Sequence, residues 1–152
     1  MLILQGLFIL FLSGKTDANA FAPFDLRRVN DDVVDALRKA WELAEYGRSA
    51  KEAGVVIVEE PNGRYSARVQ SSNDLRFQVR LDILPGTVAV FHTHPNSSGY
   101  EPSVVDRKNA DQLQIPTFTM TDRGLWGYNP KTRKISQVFP FRSWLEHRNW
   151  AN

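Results

Sequence analysis

Three side chains that could bind a metal ion lie close together in the middle of the chain. His92 and His94 are two residues apart, and Asp106 follows them. Residues two apart on a strand point to the same side, so both imidazoles would face one site. Two imidazoles and one carboxylate form a three-ligand zinc set, and an open fourth position for water is typical of catalytic zinc. This run therefore predicts a metal-dependent reaction.

The same segment has a simpler interpretation that involves no metal. Ser103 and Asp106 form an S-x-x-D pattern ahead of a predicted helix, which is a capping box. A single histidine on a strand is more often a packed or surface residue than a ligand. However, the intervening loop contains proline and glycine and can fold Asp106 back over the imidazoles. Ser103 and Asp106, three apart on a helix, would then share one face.

The elements that must position these residues follow an α, β-rich, α, β order. Apolar residues at helical spacing predict an amphipathic helix over 31–47 that stops at Gly47. Ser103 begins a second helix that runs to about Leu113. β-branched runs, alternation and turn signals predict strands. They cover residues 53–58, 65–69, 75–81, 87–92, 116–121, 125–128 and 134–139.

This order predicts a single α+β domain. Residues 21–30 contain Pro23 and show little periodicity, which indicates a leader into the domain. The domain itself covers residues 31–140. Residues 141–152 form a C-terminal tail, in which a short helix would hold Trp144 and Trp150.

Composition excludes several classes of function. The chain has 152 residues, of which 42% are hydrophobic and 24% charged, as expected for one globular domain. A net charge of +2 does not predict nucleic-acid binding. There are no cysteines, so disulfides, thiolate nucleophiles and cysteine zinc sites are excluded. Any metal ion must be bound by His, Asp, Glu or water.

Residues 1–20 are expected to be a secretory signal peptide. An apolar stretch of about a dozen residues is too short to span a bilayer comfortably, and Ala18-Asn19-Ala20 fits a cleavage pattern. No Lys or Arg precedes the apolar stretch. The alternatives are an uncleaved anchor and a buried strand or helix. We therefore expect the protein to be exported, with no stable membrane span after cleavage.

The run His92-Thr93-His94-Pro95, with Ser103 and Asp106 after it, resembles the signature of the JAMM (JAB/MPN) metalloprotease family. That signature reads H-[ST]-H-P, seven residues, S, two residues, D. The family also has a glutamate before an earlier strand, followed by small residues. Glu52, followed by Ala53 and Gly54, fits this place, and Glu59 and Glu60 are rivals beside the Pro61 turn. The resemblance implies a curved mixed β-sheet flanked by helices.

The resemblance also implies a role for each residue. His92, His94 and Asp106 would bind one Zn²⁺, which would lower the pKa of its bound water toward neutrality. Glu52 would act as the general base, and Ser103 would stabilise the oxyanion. The reaction would be hydrolysis of an amide, peptide or isopeptide bond. The loop residues beside the metal could contact substrate; they are Asn96, Ser97, Ser98 and Tyr100.

Within the family, the chain is similar to bacterial JAB-like domains of secreted or toxin-associated proteins. A protein or peptide substrate is therefore expected, in the periplasm or outside the cell. A non-catalytic binding or scaffold module of the same fold is the main alternative, and a regulatory metal sensor is another. A zinc nucleobase deaminase is excluded because its signature requires cysteines.

Overall fold

The computed structural model describes residues 17–72 and 75–150. It shows one α+β domain, as predicted, and this domain contains a six-stranded mixed sheet and three helices. The helices are α1 (Asp31–Leu43), α2 (Val104–Leu113) and α3 (His147–Trp150). The strands are β1 (Ala53–Glu59), β2 (Tyr65–Ser71), β3 (Thr87–Thr93), β4 (Thr117–Thr121), β5 (Gly124–Asn129) and β6 (Lys134–Pro140).

The strands are ordered β2-β1-β3-β4-β5-β6 across the sheet. All neighbours are antiparallel except β3 and β4, which are parallel and are connected through α2. The register places His92 opposite Gly54 of β1 and Thr119 of β4. The histidine strand is therefore an inner strand, fixed by hydrogen bonds on both sides.

The two faces of the sheet differ because alternate residues of a strand point to opposite sides. Ala89 and Phe91 of β3 belong to the main hydrophobic core. Val90, His92 and, directly after the strand, His94 line a cavity on the other face. Helix α1 covers the core face with a buried apolar stripe. Its members are Val33, Val34, Leu37, Ala40 and Trp41.

Helix α1 begins as predicted but ends earlier. Its N-cap is Asn30, whose side chain accepts a hydrogen bond from the Val33 amide at 3.1 Å. The helix ends at Leu43, and a 3₁₀ turn over Glu45–Gly47 follows, so the predicted extent of 31–47 is too long. Residues 45–47 all have positive φ, which ends the α-helix before Gly47.

The predicted leader, residues 21–30, packs into the domain. Phe21 is 1% exposed and its ring lies 4.6 Å from that of Phe118. Phe24 is fully buried and contacts Phe91, Phe118 and Tyr65. These aromatic contacts are tertiary, so the local pattern of the segment did not indicate them.

The C-terminal segment also packs against the core face. Trp144 is fully buried, contacts Trp41 at 5.6 Å between ring centroids, and donates its indole N–H to the Thr121 carbonyl. Trp150 is 4% exposed and donates to the Trp144 carbonyl. The predicted short helix is present as a 3₁₀ turn over Ser143–Leu145 followed by α3.

The prediction of a strand over 75–81 is wrong within the described residues. Residues 75–84 form no strand and run as an irregular segment beside the sheet. The amide of Phe77 donates to the Ala50 carbonyl at 2.8 Å, and the Asp82 amide donates to the Gln70 side chain. Phe77 has a positive φ of 56° and is 58% exposed, so the alternating apolar residues here do not form a half-buried strand.

The predicted signal peptide lies mostly outside the described residues, which begin at residue 17, and it stays a prediction. Residues 17–20 form a turn, and the Ala20 carbonyl accepts a hydrogen bond from the Asn129 side chain at 2.9 Å. Among the described residues, no helix is both long enough and apolar enough to cross a membrane.

Candidate metal centre

The end of β3 brings His92 and His94 to the same side, as the spacing predicts. Both imidazoles are nearly buried, with 6% and 8% of their surface exposed. Their Nε2 atoms are 3.0 Å apart. Hydrogen bonds to β1 and β4 fix β3 at His92, and the His94 amide just beyond the strand donates to the Met120 carbonyl at 3.0 Å.

Helix α2 delivers the third group of the site. Asp106 Oδ1 lies 3.2 Å from His92 Nε2, and Asp106 Oδ2 lies 3.4 Å from His94 Nε2. The three candidate ligand atoms all lie within 4.8 Å of one another. The structure therefore brings the predicted triad together, from His92 on β3, His94 directly after it and Asp106 on α2.

The capping box is also present, so the two interpretations of this segment are compatible. The Ser103 amide donates to Asp106 Oδ2 at 2.7 Å, and the Asp106 amide donates to Ser103 Oγ at 3.1 Å. Asp106 thus uses its carboxylate both for the start of α2 and for the two histidines. The cap fixes the carboxylate in the orientation that places it beside the imidazoles.

The hydrogen bond on the far side of His94 determines what its inner nitrogen can do. His94 Nδ1 lies 2.6 Å from the Gly99 carbonyl oxygen, which can only accept, so Nδ1 carries a proton. In the neutral ring, Nε2 then presents a lone pair toward His92 and Asp106. A backbone carbonyl in this position is the usual partner that orients a metal-binding histidine.

The charge of Asp106 favours a cation at this site. Burial raises the pKa of Asp106, but the His92 and His94 side chains beside it outweigh burial, and the pKa falls below its usual range. Burial lowers the pKa of His94, whereas contact with Asp106 and Gly99 raises it by more. The carboxylate is therefore ionised, and imidazole and carboxylate donors together suit borderline divalent metals such as zinc.

Glu52 lies immediately before β1, at the edge of the same cavity as the triad. It is 8% exposed, and burial raises the pKa of its carboxyl, with the charges of His92 and His94 opposing part of that rise. A carboxyl with a raised pKa inside a cleft is suited to accept a proton near neutral pH. The position agrees with the general-base role expected from the resemblance.

The rival glutamates lie at the opposite end of β1. Glu59 is paired with Arg28 at 3.1 Å, and the Ser66 hydroxyl donates to Glu60 at 2.5 Å. Neither residue lines the cavity that contains the triad. Of these three glutamates, Glu52 is the one that lines the cavity containing the triad.

A buried hydroxyl connects the strand start after Glu52 to the histidine strand. Thr93 is fully buried, and its Oγ1 accepts a hydrogen bond from the Ala53 amide at 3.0 Å. This bond fixes the residue next to Glu52 relative to the residue between the two histidines. Sequence analysis recognised Thr93 as part of the motif but not this contact, because Ala53 is forty positions away.

The four predicted loop residues occupy different environments. Ser98 lines the cavity. Asn96 turns toward the 3₁₀ turn after α1, where it donates to the Tyr46 carbonyl and its amide donates to the Gly47 carbonyl. Tyr100 packs on Trp126 at 5.1 Å between ring centroids. Ser97 is exposed and lies outside the cavity lining.

The cavity has a volume of about 770 Å³, which is within the usual size of small-molecule clefts. Its lining includes the triad together with Glu52 and Ser103. The apolar residues that form the rest of the lining were not identified as functional from the sequence. The alternation of residues 75–81 was a signal for those in the irregular segment, whereas Val105 and Leu113 belong to α2 and had no such signal.

A scan of the sequence against protein-family models finds no match, and a search of curated proteins finds none either. Assignment to the JAMM family therefore stays a prediction that depends on the motif and its spacing. What the structure establishes is coarser: a His-His-Asp group that could hold a metal ion.

Proposed function

We propose that the protein is a zinc-dependent hydrolase of amide, peptide or isopeptide bonds. The observation that carries this proposal is the convergence of His92, His94 and Asp106 in a cavity that also contains a buried glutamate and a helix-capping serine. A structural metal site would be closed by four protein ligands, whereas three protein ligands leave a position for reaction.

Each residue has a defined task in this reaction. When bound by the triad, zinc would supply a Lewis acid that lowers the pKa of water and polarises a carbonyl. Glu52 accepts the proton of the attacking water and transfers it to the leaving amine. The Ser103 hydroxyl accepts from the Asp106 amide, so its own hydrogen remains available to an oxyanion.

The first experiment measures metal content and turnover on the same preparations. The wild-type chain, loaded with zinc, is expected to contain about one zinc per chain by elemental analysis, and His92→Ala/His94→Ala is expected to contain none. A set of internally quenched peptide and isopeptide substrates then tests hydrolysis. A folded wild-type protein that binds no metal after zinc is supplied would rule out the proposal.

The role of Glu52 is tested with a matched control on the same strand. Glu52→Gln is expected to keep zinc and to lose turnover by about 10²-fold or more, as for removal of a general base. Glu59→Gln removes a carboxylate from the other end of β1 and is expected to retain both zinc and turnover. Loss of zinc in Glu52→Gln would contradict the assigned role, and bound zinc without turnover in the wild type would favour the non-catalytic binding module.

A further inference from the structure

The part of the cavity beyond the metal triad is bounded by two walls of apolar side chains. One wall is the irregular segment 75–84, which contributes Phe77, Val79, Leu81 and Ile83. The other wall is the exposed face of α2, which contributes Val105 and Leu113. We call these the apolar walls. Deepening the proposed function, on which this inference rests, we propose that the protein selects peptide substrates with apolar side chains beside the scissile bond.

Side chains of the apolar walls are more exposed than those of a closed hydrophobic core. Phe77 is 58% exposed, Val105 65% and Leu113 46%. Clusters of exposed apolar side chains around a concave surface are more often ligand-binding grooves than surface without a function. Here the cluster continues directly from the triad, so a ligand that covers it is also positioned for the chemistry.

The charges in the cavity determine which ligand chemistry fits. The charged side chains of the lining, histidines aside, are Glu52, Glu101 and Asp106, all acidic. No Lys or Arg is among the described residues that line it. A nucleotide, phosphopeptide or acidic peptide would therefore find no cationic partner away from the metal. Apolar side chains of a peptide need no charged partner and are stabilised when they leave water.

The first apolar wall is fixed in place at the level of the histidines. A Cβ added to Gly54 would lie 2.6 Å from Leu81 Cδ2, so the missing side chain of Gly54 makes room for Leu81 against β1. Gly54 pairs with His92 across the sheet. Together with the hydrogen bond from Phe77 to Ala50, this contact sets the distance between the apolar wall and the metal site.

The second apolar wall offers a matched pair of test positions. Val105 lines the cavity, whereas its neighbour Val104 is 68% exposed and does not. Valine and serine have similar helix propensities, so replacement of either valine by serine leaves α2 nearly unperturbed. Val105→Ser/Leu113→Ser removes the apolar wall of the helix, and Val104→Ser is the control.

The experiment compares zinc-loaded full-length protein on internally quenched peptides that differ only beside the scissile bond. The flanking residues are Leu and Phe in one peptide, Ser in the second and Asp in the third. We expect kcat/KM to be at least about tenfold higher for the apolar peptide, as one well-filled apolar pocket provides. The preference should fall toward unity in Val105→Ser/Leu113→Ser and persist in Val104→Ser.

A direct binding measurement separates failure of this inference from failure of the hydrolase proposal. Zinc-loaded Glu52→Gln is titrated with the same peptides in fluorescein-labelled form, and binding is followed by fluorescence anisotropy. Tighter binding of the apolar peptide, lost in the Val105→Ser/Leu113→Ser background, supports the inference even if no peptide is cleaved. Equal binding and equal cleavage of all three peptides overturn it, and so does a preference for the Asp peptide. Cleavage of folded proteins alone, whatever residues flank the scissile bond, also overturns it.

Discussion

One face of the β-sheet is covered by α1, the segment 21–30 and the C-terminal tryptophans, whereas the other face carries the metal triad and an open cavity. The same strands build both faces, since alternate residues point to opposite sides. Phe91 stacks on Phe118 at 4.4 Å in the closed face, and His92, the next residue, faces the cavity. Close packing on one face supplies the rigidity with which polar groups are held on the other.

Strand β3 provides three consecutive residues with which this comparison can be tested. Phe91 belongs to the closed face, His92 belongs to the open face, and Thr93 points to the closed side while its hydroxyl connects β3 to the residue after Glu52. Substitutions at the three positions should therefore affect stability, metal binding and alignment of the site in different proportions.

The largest effect is expected at Phe91. Phe91→Ala removes a fully buried ring from an aromatic cluster and should lower the free energy of unfolding by about 3–5 kcal/mol, as for other buried aromatic residues. Urea unfolding of the metal-free protein measures this value. A loss below about 1 kcal/mol would show that the closed face is not tightly packed and would break the comparison.

The second effect concerns ligand-dependent stability at His92. At zinc concentrations a hundredfold above the dissociation constant, the wild-type protein should gain about 2.7 kcal/mol in free energy of unfolding. His92→Ala should gain much less, although its metal-free stability should be far closer to wild type than that of Phe91→Ala.

The matched control for His92 is the histidine outside the triad. His147 contacts Asp35 at 2.7 Å near the surface, so His147→Ala should retain the full zinc-dependent gain. Thermal unfolding with and without zinc distinguishes the variants. Equal stabilisation of all three proteins would place the metal elsewhere and contradict the assignment of the triad.

The third effect is expected at Thr93. Thr93→Val leaves the buried Ala53 amide without its acceptor, which costs about 1–3 kcal/mol. Thr93→Ser keeps the acceptor and should retain the hydrogen bond. If the hydroxyl aligns Glu52 with the metal, kcat should fall in Thr93→Val at unchanged zinc content and recover in Thr93→Ser. A loss of zinc in both variants would instead indicate a general defect in the strand end.

The sequence was sufficient for features that depend on local pattern. The triad, the capping box and the strands around the motif follow from alternation, turn residues and motif spacing. The α+β class follows from the order of these elements. These predictions succeed because the spacing of His92 and His94 already determines their common side once a strand is assumed.

Features that depend on distant contacts were missed. The segment 75–81 has the alternation of a strand, but alternation specifies one-sided burial and not a partner strand. The packing of Phe21 and Phe24 depends on rings that are far away in the sequence. The orientation of Asn96 is set by the turn at Tyr46 and Gly47, so proximity to the motif did not reveal it.

The double use of Asp106 has a consequence for the kinetics of the metal site. The carboxylate that completes the triad also accepts the Ser103 amide hydrogen, so fraying of the first turn of α2 withdraws a ligand. With the proposed metal bound, its release and helix fraying would be coupled equilibria, and occupancy should slow hydrogen–deuterium exchange at the amides of Ser103 and Asp106. Hydrogen exchange in the first turn of α2 should therefore indicate whether a metal ion is bound, without the use of any substrate.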